Sequence, residues 1–192
     1  MNTYDHFGVD FGSKLAGTTS ICIQEKDGSL LFSTSIKNEN ADLWLEKQII
    51  EFQPSAIFID APLSLPGAYF HKNADYFYRL ADRQLKAMSP MFLGGLTARA
   101  IKLKSEVSVP MYETYPAGLV RELHLSSIYS KKDKSPAEFL NELQLRMALP
   151  AIRTEPISWH EMDALLAWIS GQRYAEGKSL QYGTPEEGLI FI

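Results

Sequence analysis

Three strand-length apolar runs follow one another at the start of the chain, at 6–11, 18–25 and 29–36, joined by turns. Phe7, Val9 and Phe11 alternate in the first, the period of a strand with one buried face. Lys26-Asp27-Gly28 separates the second from the third, and Asp-Gly between apolar runs marks a hairpin. The chain therefore opens as an antiparallel meander. The pattern then changes. Asn40 can cap a helix in which Leu45, Ile49 and Phe52 recur at helical spacing, and Pro54 follows its end. The run 55–60 closes on Asp60 and enters the proline-rich 61–67, as a parallel strand in a sheet would.

Further along, the spacing predicts a helix over 73–88, with Phe77, Leu80, Ala81, Leu85 and Met88 as its apolar stripe and Ser89-Pro90 as its stop. A short basic helix lies at 96–104, a short strand at 111–115, and Pro116 suits the first position of another helix. Lys131 to Lys134 reads as an exposed linker. Ser135-Pro136 with Glu138, and Ser158 with Glu161, are capping boxes. The second opens a helix with Met162, Leu165, Leu166 and Ile169 as a buried stripe and Gly177 near its end. The tail closes on a short apolar strand. No repeat or low-complexity segment interrupts this order, and 192 residues suit one α/β domain spanning 1–192.

Hydrophobic residues make up 45% of the chain and charged ones 22%, the balance of a soluble globular protein. No apolar run approaches the roughly 20 residues that cross a bilayer, and the start lacks the pattern of a secretory signal. The single cysteine, Cys22, excludes an internal disulfide and sits in a strand-like run as a small hydrophobe. These features predict a cytoplasmic protein without a membrane partner. The net charge of −4 argues against sequence-blind duplex binding while leaving room for a local basic groove.

Four carboxylates stand where a site would form. Asp10 closes the first strand, Asp60 closes the fourth, Glu113 sits inside the fifth, and Asp163 lies in the second turn of an apolar helix. Carboxylates in apolar surroundings are costly unless paired or bound to a cation. Ligands of open α/β sheets bind at the carboxyl ends of the parallel strands. If the first and fourth strands are parallel neighbours, Asp10 and Asp60 meet there and form an oxygen cage for Mg²⁺ or Mn²⁺. Each acid also has a plainer role. Asp10 can bond its own turn, Asp60 can cap the following loop, Glu113 can pair with a buried arginine, and Asp163 can be a solvated helix acid. One residue of register decides which face Glu113 takes.

Arg79, Asp82, Arg83 and Lys86 share one face of the predicted helix, either as a phosphate-contacting stripe or as a solvated surface with internal ion pairs. Arg99, Lys102 and Lys104 add positive charge on the next segment. Tyr69, Phe70, Tyr76 and Tyr78 interleave there, as base-stacking residues or as core. His160 precedes Asp163 by three, as a proton shuttle, an outer-shell group or an ordinary helix-start residue. His6, His71 and His124 show no ligand spacing. Walker, Gly-x-Gly-x-x-Gly, Gly-x-Ser-x-Gly and Cys-x-x-Cys motifs are absent.

The opening "GVDFGSKLAGTT" resembles the first strand and turn of the ribonuclease H-like superfamily, which includes actin-like ATPases and sugar kinases. Together with "IDAPLSLP", "RLADRQL", "ETYPA", "MDALLAW" and "EEGLIFI", in that order over nearly the whole chain, it resembles a narrower domain-of-unknown-function family of predicted ribonuclease H-like nucleases. The resemblance implies a three-layer α/β fold. Its mixed five-stranded sheet is an antiparallel meander plus two strands parallel to the first, with helices on both faces. It implies Asp10, Asp60 and Asp163 as metal ligands with Glu113 as a fourth catalytic acid, and Arg79, Asp82 and Arg83 lining the same cleft.

Two enzymatic expectations follow, beside a non-catalytic binding module on the same fold. One is a Mg²⁺- or Mn²⁺-dependent nuclease acting on nucleic acid or another phosphoester. The other is a nucleotide-binding or phosphotransferase relative of the actin-like group, in which Gly12, Ser13, Lys14 and Gly17 wrap phosphates. The second needs a repeat of that loop near "IDAPLSLPG", where Pro62 and Pro66 instead remove backbone donors. The balance favours metal at Asp10, with the glycines after it admitting substrate.

Overall fold

The computed structural model describes residues 4–70, 75–130 and 135–192. The expected linker at 131–134, His71 and the start of the expected 73–88 helix lie outside these residues. Strands β1 (Tyr4–Asp10), β2 (Ser20–Gln24) and β3 (Leu30–Thr34) form the antiparallel meander. Asp27 holds the turn before β3 by accepting hydrogen bonds from the Ser29 amide and hydroxyl. Helix α1 (Ala41–Phe52) starts where Asn40 accepts from the Asp42 amide, and leads into β4 (Pro54–Asp60), which runs parallel to β1.

A 3-10 turn (Gly67–Phe70), short helices α2 (Leu80–Leu85) and α3 (Pro90–Leu93) and helix α4 (Gly95–Glu106) precede β5 (Met111–Thr114), parallel to β4. Helices α5 (Pro116–Glu122), α6 (Ala137–Arg146) and α7 (Trp159–Ala175) come next, and the chain closes with the hairpin β6 (Gln181–Thr184) and β7 (Gly188–Phe191).

The sheet has seven strands, in the order β3-β2-β1-β4-β5-β7-β6, not five. The meander and the two parallel strands stand as expected. β7 then adds parallel to β5, and β6 pairs with it antiparallel. "QYGT" alone carries too little apolar alternation to read as a strand, and its pairing with β7 defines it.

Side-chain alternation divides the core. Phe7, Val9 and Phe11 face one side with α1 and α4, through Leu45, Ile49, Ala100 and Leu103. The other side is covered by α5, α6 and α7, around Leu119, Phe139, Leu143, Leu165 and Ile169. Helix α7 is buried over Met162–Gly171. It begins at the expected capping box, in which the Ser158 hydroxyl accepts from the Glu161 amide and the Glu161 carboxylate accepts from the Ser158 amide. Two glycines let it lie directly on β1. A Cβ at Gly8 would stand 2.2 Å from the Ala164 carbonyl, and one at Gly171 would stand 2.4 Å from the His6 ring. Among the described residues no helix is long and apolar enough to cross a membrane.

The predicted 73–88 helix is the main correction. Only Leu80–Leu85 is helical; Ala81 and Leu85 are buried and Arg83 and Lys86 exposed as the stripes predict, but the other members of both stripes change places. Arg79 and Asp82 are buried, whereas Phe77, Leu80 and Met88 are exposed. The Ser135 box is displaced as well. Pro136 takes the cap position of α6, and the Ser135 hydroxyl accepts from the Ala137 amide.

Candidate metal centre and its cleft

Asp10 and Asp60 are paired in register at the C-terminal ends of adjacent parallel strands. Gly8, two residues before Asp10, faces α7, so the strand period turns Asp10 toward α7 as well. The first turns of α7 supply Asp163 and His160. One carboxylate oxygen from each of Asp10, Asp60 and Asp163 lies within 4.8 Å of the others. This is the group that the sequence pointed to, and the close seat of α7 on Gly8 and Gly171 assembles it.

Two side chains tie into the trio. His160 Nδ1 is 2.7 Å from Asp10 Oδ2, with the imidazole half-exposed. The Tyr129 hydroxyl donates to Asp163 Oδ1 at 2.5 Å. Burial first, and then the negative charges of Asp163, Asp60 and Asp10, hold the Tyr129 phenol well above its ordinary pKa. Tyr129 therefore stays a donor at any working pH and fixes one oxygen of Asp163. It stands 34 residues from its partner, with no local pattern to reveal it.

Glu113 does not join the trio. It pairs in register with Ile59, whose side chain packs with α1 and α4, so it points to the face opposite Asp10 and Asp60. There it meets Arg79. The buried guanidinium donates to both Glu113 oxygens at 2.6 and 2.7 Å, to both Asp82 oxygens at 2.6 and 3.1 Å, and to Ser64 Oγ at 2.8 Å. These five bonds engage all five donors that an arginine has. Glu113 Oε2 also accepts from the Leu63 amide, and Asp82 Oδ2 from the Arg79 amide. Burial works against the Arg79 charge, but Glu113 and then Asp82 hold its pKa above the ordinary arginine value. Burial raises the Glu113 pKa, and Arg79 opposes that rise. We take the group as ionised at neutral pH, because both Glu113 oxygens accept charge-assisted bonds.

The β6–β7 hairpin anchors this network. The Glu187 carboxylate accepts from the Gly67 and Leu80 amides, and its carbonyl accepts from Ser64 Oγ. Arg79, Asp82 and Glu113 thus set the wall beside the carboxylate trio.

A cleft of about 350 Å³ opens at this strand edge, lined by Asp10, Asp60, Arg79, Glu113, Met88 and Leu93 among others. A larger cavity of about 550 Å³ lies elsewhere, around Met147–Pro150, Trp168 and Gln172, and the carboxylate trio is not part of it. Thr114 also lines the cleft. Its buried hydroxyl has no hydrogen-bond partner among the described residues, and it follows Glu113 on the face that register assigns to Asp60. In the sequence it is an ordinary threonine of a short strand, with no pattern to set it apart.

The other expected residues lie apart. Ser13 is exposed on the loop after β1, outside the cleft lining. The Gly12 and Ser13 amides donate to the Thr19 and Thr18 hydroxyls at 3.1 and 3.2 Å. A Cβ at Gly12 would stand 2.2 Å from Thr18 Oγ1, so this glycine serves the packing of its own loop. Arg83 is exposed, pairs with Asp75 and lies 5.1 Å from the centre of the Tyr78 ring. Arg99 holds Asp42 and the Gly12 carbonyl, and Lys102 pairs with Glu106. The basic helix is therefore largely committed to internal ion pairs.

No family model and no curated protein matches the sequence. Among solved structures the chain is similar to the yeast mitochondrial Holliday junction resolvase Ydc2. The two are 13% identical, the match covers 92% of this chain and 84% of that one, and the TM-score is 0.41. What the site can do follows from its own residues.

Proposed function

We propose that the chain is a divalent-metal-dependent phosphodiesterase acting on nucleic acid, built on a ribonuclease H-like sheet. One observation carries this reading: carboxylates from two adjacent parallel strands and a helix converge within 4.8 Å at the C-terminal edge of the sheet, beside an open cleft. Three mutually repelling acids, one of them buried, make a poor structural element and a good cation cage. The donor set fits Mg²⁺ or Mn²⁺, being oxygen throughout, and the Thr114 hydroxyl, without a hydrogen-bond partner among the described residues, belongs to a residue lining the same cleft.

Asp10, Asp60 and Asp163 would hold the ion, which when bound supplies Lewis acidity toward a phosphoryl oxygen and lowers the pKa of water. The rest falls to the protein. Tyr129 fixes the orientation of Asp163. His160, hydrogen-bonded to Asp10 and half-exposed, is placed to carry a proton between the site and solvent. Met88, Leu93 and Leu96 give the cleft an apolar wall. Arg79 acts through the wall it braces, because its donors are already engaged. The nucleotide-wrapping alternative is disfavoured by the Gly12 and Ser13 amides, which bond Thr19 and Thr18 instead of facing a phosphate.

The test is cleavage of labelled single-stranded, duplex, hybrid and branched nucleic acids with Mg²⁺ or Mn²⁺, beside an Asp10→Asn control. Cleavage by the parent alone supports the reading. Absence of both cleavage and metal binding refutes it.

A further inference from the structure

We infer that the exposed aromatic surface beside the cleft is a stacking platform for unpaired bases of a nucleic-acid strand, and that this selects single-stranded segments as substrate. The inference deepens the nuclease reading and rests on it. The α2 region is its starting point. Arg79 and Asp82 are buried, while Phe77 of the expected apolar stripe and the neighbouring Tyr76 and Phe92 are exposed. Tyr76 is 65% exposed, Phe92 63% and Phe77 53%. So many large rings in solvent on one short stretch call for a ligand.

The rings are held, not loose. Phe77 lies 5.8 Å from Phe92, and Tyr78 meets Phe92 edge-on at 6.0 Å. The Asp75 carboxylate accepts from the Phe77 and Tyr78 amides at 2.6 and 3.0 Å, and the Ser89 hydroxyl donates to the Phe77 carbonyl. A rigid platform loses little freedom when a flat ligand settles on it.

Charge and position select the occupant. The Arg83 guanidinium, ion-paired with Asp75, sits over the Tyr78 ring and is more than half exposed, and Lys86 is exposed three residues on. Cations among aromatic faces suit a ligand with both π-faces and phosphates. The patch continues into the cleft, since Leu93, next to Phe92, and Met88 line it together with Asp10 and Asp60. A strand whose phosphodiester lies at the carboxylates would pass over these rings. Paired bases have their faces covered by their neighbours, so the platform takes unpaired ones.

The experiment uses the full chain carrying Asp10→Asn, in chelator, so that binding is read without cleavage. Fluorescence anisotropy compares a labelled single strand, an abasic strand of equal length and charge, and a duplex. The expected result is that the base-bearing strand binds about 5- to 100-fold tighter than the abasic one. The added pair Phe77→Ala and Phe92→Ala should remove that difference and leave abasic binding unchanged, with the thermal midpoint confirming the fold. Equal affinity for base-bearing and abasic strands overturns the inference, as does duplex binding as tight as single-strand binding. Self-association of the parent that the alanine pair abolishes also overturns it, by making the patch an interface between copies. Failure of the nuclease reading would show separately, as absence of Mn²⁺-dependent cleavage by the chain that retains Asp10.

Discussion

Asp10→Asn separates a cation cage from a structural acid cluster, because the two predict opposite changes in stability. With ligand oxygens within 4.8 Å, each pair of ionised carboxylates repels by about 3.5 kcal/mol at an effective dielectric constant of about 20. Asp10 has two such neighbours. Solvent and the bonds to His160 and Tyr129 relieve much of this, so a realised gain of about 1–3 kcal/mol is expected when one charge is removed and the shape is kept. The opposing loss is small. The His160 side chain is 45% exposed, so its pair with Asp10 is worth no more than about 1 kcal/mol, and the asparagine oxygen can still accept from it. For a chain of this size the gain corresponds to about 2–12 °C in Tm. Metal reverses the order. An ion at a hundred times its Kd adds about 2.7 kcal/mol to the parent, or about 5–11 °C, and little to the variant. Thermal unfolding of both proteins in chelator and in Mn²⁺ reads all four values. A variant less stable than the parent in chelator, or an equal metal increment in both, would refute the reasoning.

Other perturbations probe the supports. Tyr129→Phe should leave the fold intact and weaken metal binding about 10- to 100-fold, by isothermal titration, because it frees the oxygen of Asp163 that the phenol fixes. Gly8→Ala drives a methyl into the α7 backbone, so lowered Tm and lost metal binding should appear together; a normal metal isotherm would show that α7 can shift without disturbing the trio. Arg79→Met leaves Asp82 and Glu113 buried without their cation and should cost about 3–5 kcal/mol at neutral pH. Removing that cation lifts the folded-state pKa of Glu113 further above its unfolded value. The variant should therefore recover stability relative to the parent as pH falls toward the ordinary carboxylate range and lose it as pH rises, which urea unfolding at two pH values will read. Asp75 runs the other way. The amides of Phe77 and Tyr78 and the Arg83 ion pair hold its pKa down at about 2, so its turn should persist on acidification through the ordinary aspartate range and loosen only as pH falls through about 2. Amide exchange at Phe77 and Tyr78 would report it.

What the sequence disclosed and what it hid divide by the range of the interaction. The Asp27-Gly28 turn, the Asn40 and Ser158 caps and Pro116 at the start of α5 are local, and each stands where it was expected. Asp10 and Asp60 were legible because an apolar run ending in an acid marks the C-terminal edge of a strand. The α2 region misled because burial of its charges depends on distant partners. Glu113 and Ser64 lie 34 and 15 residues from Arg79, and Glu187 reaches Leu80 across 107. Periodicity assigns an arginine to the surface by default, and only a partner set that engages every donor reverses the assignment.

That reversal links structure to activity in one step. Arg79 is held in the interior by Glu113 of the sheet, Asp82 is buried as its second counter-charge, and Phe77 and Met88 on either side of the pair are exposed beside the cleft. If the rings form the substrate platform, the buried ion network is what presents them. Arg79→Met should then weaken single-strand binding while leaving the Asp10, Asp60 and Asp163 metal isotherm in place, provided that the variant is assayed below its lowered midpoint. Loss of both together would instead make α2 part of the metal site's own scaffold, and the platform and the cage would have to be treated as one unit.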